Sequence, residues 1–120
     1  MPRLILVVDD NADARFMLKT VLEAQGFAVA CAEDGQAALH MIEDHQPDLI
    51  ISDIQMPNLN GIEMIKKLRM QSETMHTPVL VTSALHSEVL ADAMIAGGTA
   101  VATKPVELES FIGLITQLLM

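Results

Sequence analysis

Short apolar runs alternate with longer stretches of helical spacing along the whole 120-residue chain. That alternation limits the fold more than any single motif does. Leu4-Ile5-Leu6-Val7-Val8 comes first and is closed by Asp9-Asp10; Phe27 to Ala32, short and Ala-rich as suits an edge, is second. Leu49-Ile50-Ile51-Ser52-Asp53 is third, Pro78 to Ser83 fourth and Ala100 to Thr103 fifth. Such runs, bounded by turn residues, read as strands buried on both faces of a parallel sheet. A helix is predicted after each. The first is capped by Asn11, with Asp13 at the positive end of its dipole, Phe16, Leu18, Val21 and Leu22 turned inward, and Gly26 closing it. The second opens at Asp34-Gly35 with Ala38, Leu39 and Ile42 inward. The third runs from about Ile62 to Met70 with Ile62, Ile65 and Leu68 inward. The fourth covers Glu88 to Ala96 and stops at Gly97-Gly98, and the last covers Glu107 to Leu119. Strand–helix alternation gives a parallel sheet with helices on both faces, and right-handed crossovers leave few topologies. The expected fold is an α/β, doubly wound, five-stranded parallel sheet of order 2-1-3-4-5 with five helices, formed by one domain over residues 1–120.

Composition narrows the function. Hydrophobic residues make up 51% of the chain but aromatics only 2%, without Trp or Tyr, so the core is expected to be aliphatic and Met-rich, with Phe16, Phe27 and Phe111 as its aromatic anchors. Sixteen acidic residues stand against seven basic ones. This argues against direct nucleic-acid binding, which needs clustered positive charge and, for single strands, aromatic platforms. Cys31 is a single cysteine with no internal partner, which fits a reducing cytoplasm and a small packing residue. The apolar start, Leu4 to Val8, is cut short by Asp9-Asp10; a membrane span needs about 20 apolar residues, and a secretory signal also needs a longer run.

In open α/β sheets ligands bind beyond the carboxyl ends of the strands. Order 2-1-3-4-5 makes the first and third strands neighbours, so Asp9, Asp10 and Asp53 converge on one crevice. Each residue also has a plainer reading: Asp53 as a turn former, Asp9-Asp10 as helix caps, Ser83 as a loop start, Lys104 as a solvated lysine. Their placement at one sheet edge decides against these readings. Two like charges about 4 Å apart repel by roughly 4 kcal/mol at an effective dielectric of about 20, so a cation or a proton must offset them. Oxygen ligands with room for water suit Mg²⁺, which leaves positions open for a phosphoryl oxygen. Asp53 would be the nucleophile, with the Ser83 hydroxyl and the Lys104 ammonium serving the phosphoryl group.

Val8-Asp9-Asp10, Asp53-Ile54-Gln55-Met56-Pro57 with Gly61 eight residues past the aspartate, Ser83-Ala84, Ala96-Gly97 and Lys104-Pro105 together resemble the response-regulator receiver domain of two-component signalling, over the whole chain. The resemblance implies a flavodoxin-like fold like that of chemotaxis receivers. It makes Asp53 the phosphoacceptor and Asp10 a direct Mg²⁺ ligand, with Asp9 acting mostly through water and the backbone carbonyl of Gln55 completing the metal site. Ser83 is the hydroxyl that moves onto the phosphoryl group and Lys104 its charge partner, with a cis bond at Lys104-Pro105. The implied donor is a histidine kinase or histidine phosphotransfer protein, docking near Ala14, Met17 and Met56-Pro57. The implied output is a downstream protein target or a fused domain, without nucleic acid or membrane, in a cytoplasmic signalling domain rather than a metabolic enzyme. One departure stands out: the family usually carries Tyr or Phe three residues before the lysine, and here that position is Val101. A muted response of strand five and helix five is the expectation. Other classes fit less well. A phosphate-independent module would have lost some site residues. An aspartate-based phosphohydrolase needs a second acid where Gln55 stands. A flavodoxin-like electron carrier would meet Asp9-Asp10 in its phosphate loop.

Overall fold

The computed structural model describes residues 2–54, 60–83, 87–104 and 107–120. Strands β1 (Leu4–Val8), β2 (Ala28–Ala32), β3 (Leu49–Asp53), β4 (Val79–Ser83) and β5 (Ala100–Thr103) alternate with helices α1 (Ala12–Ala24), α2 (Gly35–Asp44), α3 (Gly61–Arg69), α4 (Ser87–Ala96) and α5 (Leu108–Leu118). The strands form one parallel sheet of order β2-β1-β3-β4-β5, the expected doubly wound arrangement. No helix among the described residues is long and apolar enough to cross a membrane.

Alternation of side chains along each strand divides the core in two. Ile5, Val7, Leu49, Ile51 and Leu80 point to the face covered by α1 and α5, where Leu18, Leu22, Phe111 and Ile115 meet them. Leu6, Val8, Ile50, Val79 and Val81 point to the opposite face, against Ala38 and Ile42 of α2, Met64, Ile65 and Leu68 of α3, and Ala93 of α4. Covering both faces is why the strands are continuously apolar. The starts of α1, α2, α3 and α5 are each held by a side chain. Asn11 accepts from the Ala14 N–H, Asp34 from Ala37 and Asn60 from Glu63. Glu107 accepts from Glu109 and Ser110, which hold its exposed carboxyl below the usual range, the Ser110 bonds contributing most.

Three packing expectations need correction. Phe16 is 73% exposed, because the inward face of α1 is defined by Leu18 and Leu22, and a residue two before Leu18 lies on the far side of a 3.6-residue turn. On α3 the buried set is Gly61, Met64, Ile65 and Leu68, so Ile62 sits on the flank. The core is not Met-rich: Met64 is buried, but Met17, Met70, Met75, Met94 and Met120 are exposed. Cys31 lies half-buried on the edge strand β2 against the α1/α5 cluster, and burial pushes its thiol up, away from the reactive thiolate.

The ends of α3 and α4 are tied together. The Arg69 guanidinium donates through Nε (3.1 Å) and Nη2 (2.8 Å) to the Gly97 carbonyl, and through Nη1 (2.9 Å) to the Thr74 carbonyl. A cation from α3 thus caps the negative end of α4, which has no basic residue in its own last turn. Gly97 adopts φ +124°, and a Cβ there would come within 2.7 Å of Arg69 Cγ. Gly26 adopts φ +95° with open space around it. Replacing either by Ala costs about 1–2 kcal/mol for the left-handed backbone. Gly97→Ala must also displace Arg69, so its urea midpoint is expected to fall clearly below that of Gly26→Ala.

Candidate functional site

Strand register builds the site. Val8 pairs with Ser52, and Asp53 pairs with Thr82, so the residue after β1 and the last residue of β3 leave the sheet side by side. The Asp9 N–H still bonds the Ala32 carbonyl of β2 (3.1 Å), and the Lys104 N–H bonds the Ser83 carbonyl of β4 (3.0 Å). Asp9, Asp53, Ser83 and Lys104 are therefore fixed by the sheet rather than by a loop. Ser83, buried, ends β4 between the Asp53 and Lys104 positions.

The three acids are not equivalent. Asp9 is buried, with Oδ1 accepting from the Asn11 N–H (2.9 Å) and Oδ2 from Lys104 Nζ (3.0 Å); Arg15 Nη1 bonds its carbonyl (2.7 Å). Asp53 is partly exposed, with Oδ1 accepting from the Ile54 N–H (2.7 Å) and Oδ2 from Lys104 Nζ (3.1 Å). Asp10 is exposed. One carboxylate oxygen from each of Asp9, Asp10 and Asp53 lies within 4.8 Å of the others. Lys104 thus bridges the acids of β1 and β3 from beyond β5. Burial by itself lowers the pKa of its ammonium. The hydrogen bonds and charges of Asp9 and Asp53 outweigh burial and leave the group above its ordinary value.

The site brings together Asp9, Asp10, Asp53 and Lys104, with Ser83 at the intervening strand end. The Gln55 carbonyl, Met56-Pro57, Ala84 and the Lys104-Pro105 bond lie outside the described residues. Val101 is half-buried against the cluster that contains Val81 and Ala93, and lines a groove of about 330 Å³ between β5 and α5 with Thr103, Ser110 and Leu114. Two contributors have roles that the sequence does not explain. Arg15 reaches the Asp9 carbonyl from one turn into α1. Gly61 begins α3 against the Asp53 backbone, its N–H bonding the Ile54 carbonyl (2.8 Å), and a Cβ there would collide with the Asp53 carbonyl oxygen. Its place eight residues past the aspartate was the signal; the reason is this close approach.

An all-oxygen carboxylate set with an exposed member fits a small hard cation and offers nothing to a soft one. Without such an ion, Lys104 is the neutralising charge at hand for the acids. Asp10→Asn is therefore expected to stabilise the metal-free protein, by up to about 1 kcal/mol because Asp10 is solvated, and the gain in urea midpoint should shrink in high salt.

The Lys104 bridge sets a pH dependence. A group whose pKa is higher folded than unfolded stabilises fully below the unfolded value, about 10.4 for lysine, and loses that contribution as pH rises through the folded value. Wild type should exceed Lys104→Met in unfolding free energy by a constant margin from about pH 7 to about pH 10. The margin should then close at more alkaline pH, as read by denaturant titration at each pH.

Comparison with known proteins shows what the chain is similar to. The model of the response regulator receiver domain family matches residues 5–116. The polar-differentiation response regulator DivK of Brucella anthropi is 32% identical over 113 residues, covering 93% of this chain and 92% of that protein. The regulatory protein AtoC of Escherichia coli is 37% identical over 113 residues, covering 94% of this chain but 24% of that protein, so the chain spans about a quarter of this longer relative. The structure of the Vibrio cholerae chemotaxis protein CheY4 superposes with a TM-score of 0.92 at 32% identity, covering 98% of this chain and 99% of that one.

Proposed function

The chain belongs to the receiver-domain family of two-component response regulators, and from that premise we propose that it accepts a phosphoryl group on Asp53 and changes its protein contacts in consequence. The observation that carries this reading is the bridge of Lys104 Nζ to Asp9 and Asp53 at one sheet edge. The carboxylate read as nucleophile, the lysine read as its charge partner and two further acids lie together there.

The Asp53 carboxylate attacks the phosphorus of a phosphohistidine or acyl phosphate. An oxygen–phosphorus bond forms as the donor's bond breaks, and the donor leaves with its electron pair. Lys104 then exchanges a carboxylate contact for a phosphoryl oxygen, because its ammonium is already at the acceptor and costs little to reorganise. Ser83 offers its hydroxyl from the adjacent strand end. Asp9 has both oxygens engaged, which suits a role through water, while exposed Asp10 is free to ligate directly. Asp10, Asp53 and the Gln55 carbonyl are the groups that would hold Mg²⁺, which would neutralise charge on the phosphoryl oxygens. Hydrolysis of the acyl phosphate returns the carboxylate, so the chain is its own timer rather than a metabolic enzyme.

Residues 1–120 act as one domain in this reading, in the cytoplasm. The donor is a histidine kinase or phosphotransfer protein whose helix packs on α1, where Phe16 and Met17 are exposed. The output is a protein target or fused domain; an acidic surface gives nucleic acid and membrane no purchase. Val101 has one stiff torsion and no ring to swing, so the response leaves through the segment after Ser83 and α4 more than through β5 and α5.

Acetyl phosphate with Mg²⁺ should add one base-labile phosphoryl group to the wild type and none to Asp53→Asn, as read by intact mass. An adduct persisting on Asp53→Asn would move the nucleophile elsewhere.

A further inference from the structure

A groove of about 620 Å³ runs between α3 and α4, lined by Ile62, Lys66, Met70, Asp92, Ile95 and Ala96. Met70 and Ile95 are each 84% exposed, a large apolar surface to leave in water at one place. Helix α4 is apolar almost all round, yet Ala93 is its only fully buried residue among those described. The groove's walls are joined at one end, because Arg69 ties the C-terminal ends of both helices through the Gly97 carbonyl.

Charge identifies the occupant. The last turn of α3 carries Lys66, Lys67 and Arg69, three of the seven basic residues in a chain of net charge −9. Arg69 is engaged by backbone carbonyls; Lys66 and Lys67 are exposed. Asp92 stands on the opposite wall. The ion pairs among the described residues belong to Lys104, so Lys66 and Asp92 are not paired with each other. A wholly acidic partner would satisfy Lys66 and oppose Asp92, and a wholly basic one would do the reverse. A surface bearing one charge of each sign about an apolar centre complements itself: a two-fold axis sets Lys66 of each copy against Asp92 of the other.

We propose that the α3–α4 groove is the interface of a weak homodimer, with Met70 and Ile95 at its centre and reciprocal Lys66–Asp92 pairs at its rim. Elsewhere two copies of so acidic a chain repel. In this groove Lys66 balances Asp92, and small Ala96 lets helices approach closely. A single groove between two helices makes a small interface, and small interfaces are weak or transient, so micromolar or weaker affinity is expected. The proposal does not depend on phosphorylation.

Sedimentation velocity of the whole chain, without metal or phosphodonor, from about 1 μM to about 1 mM at low salt tests it. A concentration-dependent dimer is expected. Ile95→Glu should weaken it at least about tenfold, while circular dichroism shows the variant folded. Lys66→Glu and Asp92→Lys should each weaken self-association. Their equimolar mixture should recover a dimer, because every contact across the mixed interface again joins opposite charges. A wild type that stays monomeric throughout, a dimer indifferent to Ile95→Glu, or a mixture no tighter than its components would each overturn the proposal.

Discussion

The contact on which this edge of the molecule depends is one ammonium between two carboxylates. Asp9 and Asp53 are brought together because β1 and β3 are adjacent and in register, and Asp9 is buried, where solvent cannot screen it. Lys104 sits at 3.0 and 3.1 Å from the two, and reaches them from a strand two places away from β3 across the end of β4. A shorter side chain could not make that span, and a guanidinium would bring a planar fork where a compact charge is needed. The same lysine is what a phosphoryl group would need on arrival. Under the proposed function, the interaction that makes the acidic cluster tolerable at rest would also be the one that stabilises a phosphorylated form.

Backbone packing beneath the site keeps the contact in place. Asp53 is the last residue of a strand buried on both faces, so its main chain has nowhere to shift. Its carbonyl accepts from the Ser52 hydroxyl (2.8 Å), and Gly61 presses against it from the start of α3. The carboxylate is oriented by the Ile54 N–H. Asp9 is held in the same manner by the Asn11 N–H, one residue before α1 begins. Each acid is therefore positioned by the strand it ends and by the backbone that follows, while Asp10, with no such constraint, stays exposed at the rim.

Much of this was legible in the residues. Apolar runs with punctuating turn residues specified the sheet and its order, because two covered faces demand such runs and crossover handedness prunes the rest. Asp9, Asp10, Asp53 and Lys104 followed from strand ends alone. What escaped was any feature depending on rotation within a helix or on contacts distant in sequence. Phe16 counted as inward because it was apolar; Leu18 and Leu22 define the face, and it lies off their row. On α3 the spacing of Gly61, Met64, Ile65 and Leu68 is the regular i, i+3, i+4, i+7 set, which places Ile62 on the flank. Arg69 and Gly97 are 28 positions apart, so nothing local announces that one is shaped to the other.

That pair gives α4 an asymmetry with consequences for how the fold can move. Its C-terminal end is pinned by Arg69 to the Gly97 carbonyl, by the Gly98 N–H to the Ala93 carbonyl, and by Thr99, which exchanges bonds with Val79 through both its N–H and its hydroxyl. Along its length it is lightly packed, with Val89 and Leu90 half-buried and Ile95 largely in solvent. Its other end follows directly on the segment after Ser83. Under the proposed function, with Val101 offering no ring to swing, a displacement arriving after Ser83 would pass into α4 rather than into β5.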